Sequence, residues 1–412
     1  MVPLKRRPLA RATAVLSLVL ALASAAWGAE LAVTSDFEGG SAEVNRVDAL
    51  KGVICVSPAG DPDRGWPCWW YFQVRGIKPT STITLELDMG GVPIHPGWAM
   101  PQRAAFSLDR KHWQQTAPGE RQGQRITYRQ QIDAAEAWFA WGPPFLPSDA
   151  AELVRRLGQS CPDATPFELC KSLAGRAVPA LRIARAKPDP PPYGVVVVAR
   201  QHAWETGASW VCCGLAEWLV SDDVRAESLR TQAELVLVPV MDVDNVAEGQ
   251  GGKNQKPHDH NRDWSDQPRF PAVAAVQREI RRLESAGRFH LYLDLHNPGF
   301  NDLEPFFNSP LKADHPGASW DHRQRFLAAA RAEMTGPIVF KGRAGETGPK
   351  YDPKAWQFMS EHWVRRTCGP QALSLALETP WNTPASTLEG YRAFGRQLGQ
   401  AIARYFAEPP AR

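Results

Sequence analysis

Four apolar runs frame the C-terminal half of the chain. Residues 194–199 (GVVVVA), 235–240 (LVLVPV), 289–295 (FHLYLDL) and 372–377 (ALSLAL) read as buried strands bounded by polar turns. Between and after them the period lengthens to that of a helix. Val211, Leu215, Trp218 and Leu219 share a face after the first run. Val273, Val276, Ile280 and Leu283 do so in 271–286, where Pro271 suits the first turn and Gly287 the stop. Leu388, Tyr391, Leu398, Ile402 and Tyr405 repeat the pattern in 387–406. Strands alternating with helices predict an α/β fold with a mixed sheet flanked by helices.

Upstream the period is two. Ser81–Asp88 (STITLELD) sets Ile83, Leu85 and Leu87 between polar neighbours, the mark of a half-buried strand. Segments 102–108, 125–132 and 136–142 are further strands separated by Gly/Pro-bearing turns, and 149–157 is a short helix. Short strands with turns between them predict a small all-β sandwich preceding the α/β domain. Seven tryptophans in this half, among them Trp66, Trp98 and Trp141, read as packing and loop anchors more readily than as a binding platform. The prolines of 186–193 (AKPDPPPY) make a stiff connector that neither helix nor central strand continues. The expected organisation is a signal peptide at 1–28, the sandwich at 29–185, the linker at 186–193 and the α/β domain at 194–412.

Composition changes this picture at the N-terminus. Lys5, Arg6, Arg7 and Arg11 precede an apolar stretch, 12–26, that ends in small residues and is too short to span a bilayer. This is the three-part pattern of a secretory signal, and the Arg6-Arg7 pair leaves a twin-arginine route open. The expected location is periplasmic or secreted. Removing four basic residues and no acidic one takes the formal charge from +3 to −1, so no nucleic-acid face is expected. No later run is long enough for a membrane span. Seven cysteines are compatible with an oxidising compartment; Cys55/Cys68 and Cys161/Cys170 are close enough in sequence to bridge, without the sequence establishing connectivity. No C-x-x-C pair offers a cysteine zinc site.

The candidate chemistry stands at strand ends. After 194–199 come His202 and Glu205, an H-x-x-E pair that supplies two of the three ligands of a His₂Glu zinc centre. Alone, such a pair also fits a surface histidine beside a helix-starting glutamate. After 235–240 come an acidic cluster, a glycine-rich loop (249–252) and Pro257-His258-Asp259-His260-Asn261-Arg262-Asp263-Trp264. His296 follows the third strand and Glu378 the fourth. Polar residues at the ends of successive buried strands converge on one rim of a sheet. There His296 completes the ligand set, and Glu378 is a carboxylate free to act as base.

Taken in this order, the residues resemble the zinc carboxypeptidase family of metallopeptidases, in its cytosolic-carboxypeptidase-like branch, over most of the chain after the leader. His202-Ala203-Trp204-Glu205 is similar to the family's H-x-x-E, Asn261-Arg262 to its substrate-binding pair, Asp294-Leu295-His296 to its third-ligand segment and Glu378 to its catalytic glutamate. The segment ending in Trp138-Phe139-Ala140-Trp141-Gly142-Pro143-Pro144-Phe145 resembles the sandwich that precedes the peptidase in that branch. The resemblance implies a zinc-dependent metallocarboxypeptidase acting on the C-terminal bond of peptides or proteins, and the leader pattern an exported one. One Zn²⁺ would be held by His202, Glu205 and His296, with Glu378 as base and Asn261 and Arg262 on the substrate carboxylate. Asp294 would orient a ligand imidazole.

Two departures stand out. The family's carbonyl-polarising Arg has no counterpart between Val246 and His260, where Lys253 and Lys256 are the only Lys or Arg. Either is a point-charge candidate for the oxyanion, carried on a loop whose glycines let backbone approach a ligand. The family's Tyr, some twenty residues before the glutamate, is matched only by Tyr351 and Trp356, 27 and 22 residues upstream of Glu378. The same residues also suit an amidohydrolase or deacylase of a small molecule, or a catalytically weak binding protein that works through its Trp-rich sandwich.

Overall fold

The computed structural model describes residues 30–185, 191–314 and 318–407. The expected signal peptide and most of the proline-rich linker lie outside the described residues. Two five-stranded sheets form the N-terminal part. One runs β1 (Ala32–Thr34), β4 (Tyr71–Arg75), β10 (Glu136–Ala140), β6 (Ala105–Ser107), β7 (Gln114–Gln115). The other runs β2 (Glu43–Asp48), β3 (Val53–Ser57), β5 (Ser81–Asp88), β9 (Arg125–Ile132), β8 (Glu120–Gln122). Alternation decides what they bury: Ile83, Leu85 and Leu87 of β5 are at most 2% exposed while their neighbours are not. Trp70 beside β4 packs on Tyr128 of β9 with ring centroids 6.3 Å apart, closing the two sheets on each other.

The second body is an eight-stranded mixed sheet in the order β11 (Ala164–Lys171), β12 (Ala177–Ile183), β14 (Ala233–Val238), β13 (Tyr193–Ala199), β15 (Phe289–His296), β18 (Leu373–Glu378), β16 (Phe306–Pro310), β17 (Ala344–Thr347). Its centre, β14-β13-β15-β18, is parallel. Those are the four apolar runs of the sequence, and their residues are buried from both faces. Helices Thr206–Leu219 and Pro271–Ser285 cover the sheet, and Leu388–Ala407 packs on the first of them.

The expected domain boundary is corrected by β11 and β12. Placed by sequence in the sandwich, they pair instead with β14 and extend the large sheet. Phe167, Leu169 and Cys170 of β11 are only partly buried, as an edge strand allows. All seven cysteines are free thiols, so neither Cys55/Cys68 nor Cys161/Cys170, left open by the sequence, is bridged. No helix of the described residues is long and apolar enough to cross a membrane.

One hydrophobic core runs through both bodies. At their junction Trp141 meets Trp381 at 4.4 Å and Trp204 at 5.2 Å between centroids, and Trp98 meets Trp204 at 5.8 Å. The tryptophans read as packing residues do that here. They also set one body against the rim where the parallel strands end.

Candidate active site

The bend after β13 is built by Arg200. Its backbone takes φ +67°, in the left-handed region that turns the chain sharply. Its guanidinium is 1% exposed and donates to Ala203 O at 2.6 Å and to Phe145 O at 2.9 Å, tying the bend to the sandwich. Burial lowers this guanidinium to about 9. Helix Thr206–Leu219 starts immediately after Glu205, whose side chain makes no capping bond. The carboxylate turns to the imidazoles instead: Oε1 lies 2.8 Å from His202 Nδ1 and Oε2 lies 2.7 Å from His296 Nδ1.

The two histidines arrive from different strands, and one ligand atom from each of the three residues lies within 4.8 Å of the others. The outward nitrogens face carboxylates. His296 Nε2 is 2.9 Å from Asp294 Oδ2, and His202 Nε2 is 3.6 Å from Asp259 Oδ2. His202 Nε2 has no hydrogen-bond partner among the described residues and His296 Nε2 also lies 3.3 Å from Asn261 Nδ2, while both Nδ1 atoms face Glu205. That is the donor set of a His₂Glu zinc, with a carboxylate beside each ring. The residues fit the ion. Asp294, 0% exposed, also accepts from Gln201 Nε2 and, at 2.7 Å, from Ser360 Oγ.

Electrostatics bind the cluster together. Burial alone would raise the Glu205 carboxyl, but His202 and His296 outweigh it and hold it below the usual carboxylate range. Burial alone would lower His296; Asp294 and Glu205 outweigh it and raise the imidazole well above its ordinary value.

Glu378 stands at the end of β18, in register with His296 at the end of β15. Its Oε2 is shut off from solvent without a hydrogen-bond partner among the described residues. Burial pushes its carboxyl up to about 7, against the lowering influence of His296. A divalent cation at the cluster would draw it back down. Glu378, the three ligands, Asn261 and Arg262 line a single cleft of about 310 Å³. Asn261 is buried, its Oδ1 accepting from Ser360 N at 3.1 Å. The Arg262 Nε donates to Asp352 Oδ2 at 2.8 Å.

The two lysines part company. Lys253 lines the cleft with its ammonium 5.4 Å from the Trp66 ring centroid. Lys256 does not: its side chain is 73% exposed and ion-paired to Asp63 at 2.7 Å, which corrects the expectation that either could serve. The glycine-rich loop packs closely on protein backbone: a Cβ on Gly251 would lie 1.9 Å from Trp66 O. Bonds from Gly252 N to Arg64 O and from Trp66 N to Lys253 O, both 2.9 Å, hold the loop to the sandwich. The sandwich thereby positions Lys253. Of the two aromatics, Tyr351 lines the cleft and is 52% exposed, whereas Trp356 packs edge-on against His362 at 4.8 Å, away from it.

Asp259, Arg343 and Glu361 were not singled out from the sequence, and Trp98 was read only as a packing residue. Asp259 lies two residues before Asn261 in a segment already marked, so its acidity was a usable signal. The other three reach the cleft from separate elements and carry no local motif.

Comparison with known proteins agrees with this geometry. Residues 151–299 match a family model described as zinc carboxypeptidase, and residues 33–141 match the cytosolic carboxypeptidase N-terminal domain. An uncharacterised protein of Zymomonas mobilis is 28% identical over 255 residues, covering 61% of this chain and 64% of that protein. Human cytosolic carboxypeptidase 1 is 32% identical over 271 residues, covering 55% of this chain and 22% of that protein. The chain thus matches less than two thirds of these relatives' lengths. A crystal structure of a metallo-carboxypeptidase from Burkholderia cenocepacia superposes with a TM-score of 0.78 over 92% of this chain and 99% of that one, at 22% identity, a likeness of fold. The zinc carboxypeptidase model spans the metal-ligand segments from His202 to His296, so the chain carries a segment that matches the zinc carboxypeptidase family, preceded by one that matches the cytosolic carboxypeptidase N-terminal domain.

Proposed function

We propose that the protein is an exported zinc-dependent metallocarboxypeptidase that hydrolyses the C-terminal peptide bond of peptides or proteins. The observation that carries this reading is the convergence of His202, Glu205 and His296 with Glu378 and Arg262 on one cleft. One zinc per chain would be held by the first three. When bound, zinc supplies a Lewis acid that polarises a carbonyl and acidifies water. Glu378 takes the proton of the attacking water and passes it to the leaving amine. The Arg262 guanidinium, steadied by Asp352, grips the substrate's terminal carboxylate and so restricts cleavage to the chain end. Lys253 faces the negative charge that develops on the carbonyl oxygen. Export rests on the basic and apolar pattern of residues 5–26.

Glu378→Gln tests the base. The amide keeps the size and cannot accept the proton, so bound zinc should be unchanged while turnover falls by roughly 10²–10⁴. Near-parent turnover with zinc in place would assign the proton to another group.

A further inference from the structure

The cleft runs past the metal-holding cluster into a side pocket. Two residues before Glu378 on the same face of β18 is Ala376, and its partner across the ladder is Asn308 of β16. Both line the cleft, together with Thr347 of β17 and Glu361 of the helix Ser360–Thr367. At the usual strand rise Ala376 lies about 7 Å below Glu378. Glu361 O accepts from Ser374 Oγ at 2.9 Å, which puts the Glu361 backbone level with a residue about 13 Å below. The methyl of Ala376 leaves this depth open, enough for a long side chain beyond the scissile bond.

The charges on the walls are uneven. Each cleft guanidinium has an acid: Arg262 lies on Asp352 and Arg343 on Asp302, both at 2.8 Å. Glu361 is the converse. It is 0% exposed, and among the described residues no Lys, Arg or His nitrogen comes within 4.0 Å of its carboxylate. Its neighbours are two hydroxyls, Thr347 Oγ1 at 3.0 Å and Ser360 Oγ at 3.3 Å. Ser360 has one proton to give and lies closer, at 2.7 Å, to Asp294. Thr347 also has Ser309 O at 3.2 Å within reach. With its own backbone N–H also in reach, at most two or three of roughly four acceptor sites are therefore met, and none by a cation. A buried carboxylate so poorly provided is costly until a cation reaches it. The catalytic steps proposed above make no use of it.

We infer that Glu361 is the specificity-determining residue of this cleft and selects substrates whose C-terminal residue carries a long cationic side chain, such as lysine, arginine or another diamino acid. The inference rests on the carboxypeptidase reading for its place in the reaction. With Arg262 on the terminal carboxylate, a four-carbon stem or a guanidinium arm passes Ala376 and puts its head beside Glu361, where Asn308 and Thr347 offer further polar contacts. A C-terminal glutamate would set two carboxylates together in a buried pocket.

Binding tests this without turnover. L-lysine, L-arginine, L-glutamate and L-phenylalanine are titrated calorimetrically into the zinc-loaded protein and into Glu361→Gln. The parent should bind lysine and arginine at least tenfold more tightly than glutamate or phenylalanine. Glu361→Gln should lose tenfold or more for the basic pair and less than threefold for phenylalanine, with thermal stability no lower than the parent's, because an unpaired buried charge is removed. The same ranking is expected in kcat/KM for acylated dipeptides ending in these residues. If no peptide is cleaved while the basic ligands still bind selectively through Glu361, the carboxypeptidase reading fails and the pocket assignment stands. A parent that binds glutamate or phenylalanine as tightly as lysine overturns the inference, even if the variant fails to fold; so does a folded Glu361→Gln that keeps the preference.

Discussion

Asp294→Asn tests how far the metal site depends on its supporting carboxylate. Asp294 is completely buried and accepts from Gln201 Nε2 and, at 2.7 Å, from Ser360 Oγ, with His296 Nε2 2.9 Å away. All three fall on Oδ2, and Oδ1 has no hydrogen-bond partner among the described residues. An amide oxygen at that point carries no net charge, so each of the three contacts is weakened. Hydrogen bonds to charged groups are worth about 1.5–3 kcal/mol. The contact that matters most is that of His296 Nε2, because it orients the ring toward the metal. Losing such support lowers metal affinity by roughly 10–100-fold. One opposing effect needs control. Asp294 and Glu205 together raise His296 well above its ordinary pKa, so a proton competes for the ligand nitrogen, and removing Asp294 weakens that competition. Zinc affinity is therefore measured by chelator competition under alkaline conditions, where proton competition is least, beside Ser360→Ala, which removes a donor to the same carboxylate without touching His296. Asp294→Asn should lose at least tenfold and Ser360→Ala much less. An Asp294→Asn affinity within twofold of the parent would show that the imidazole is oriented by something else.

Two further outcomes follow from the surroundings of the site. Lys253→Met should slow turnover by about 10²-fold, the usual worth of one donor to a developing oxyanion, while Lys256→Met, exposed and paired to Asp63, should change it less than twofold; equal effects in steady-state kinetics would contradict the separation. Away from the cleft, burial would raise the Glu234 carboxyl, but Arg282 and Arg288 outweigh it and lower it. A carboxyl lowered by folding contributes stability that is present above its unfolded pKa of about 4.3 and is lost as pH falls through its folded value. Glu234→Gln should therefore destabilise the protein at neutral pH, with the difference shrinking below about pH 4 in thermal unfolding; a pH-independent difference would refute the charge argument.

What the sequence revealed and what it hid divide along physical lines. The parallel strands β13, β14, β15 and β18 are buried on both faces and so spell out near-continuous apolar runs, which made the rim and the residues at its ends legible: His202, Glu205, His296, Glu378. Strands β16 and β17 were not. FFNSP carries a proline and AGET has no apolar side of its own; the first owes its conformation to the ladder with β18 and the second to the ladder with β16. The helix Ala318–Glu333 was missed because its apolar residues do not hold to one narrow stripe. Strand β11 was drawn into the sandwich because it follows a β-rich stretch; only its pairing through β12 with β14 assigns it. The lysines show a different limit. Lys253 and Lys256 are three residues apart and indistinguishable by type, yet one is fixed in the cleft by backbone bonds from a segment nearly two hundred residues earlier, and the other faces solvent. Glu361 and Trp98 had no local signal at all, since what gives them a place in the cleft is the meeting of distant elements.

The most direct measurement incubates the purified protein with a defined peptide mixture, with and without a zinc chelator, and reads the products by mass. The account predicts ladders shortened one residue at a time from the C-terminus, abolished by chelator and restored by added zinc. Intact peptides with zinc bound, or cleavage at internal bonds, would contradict it.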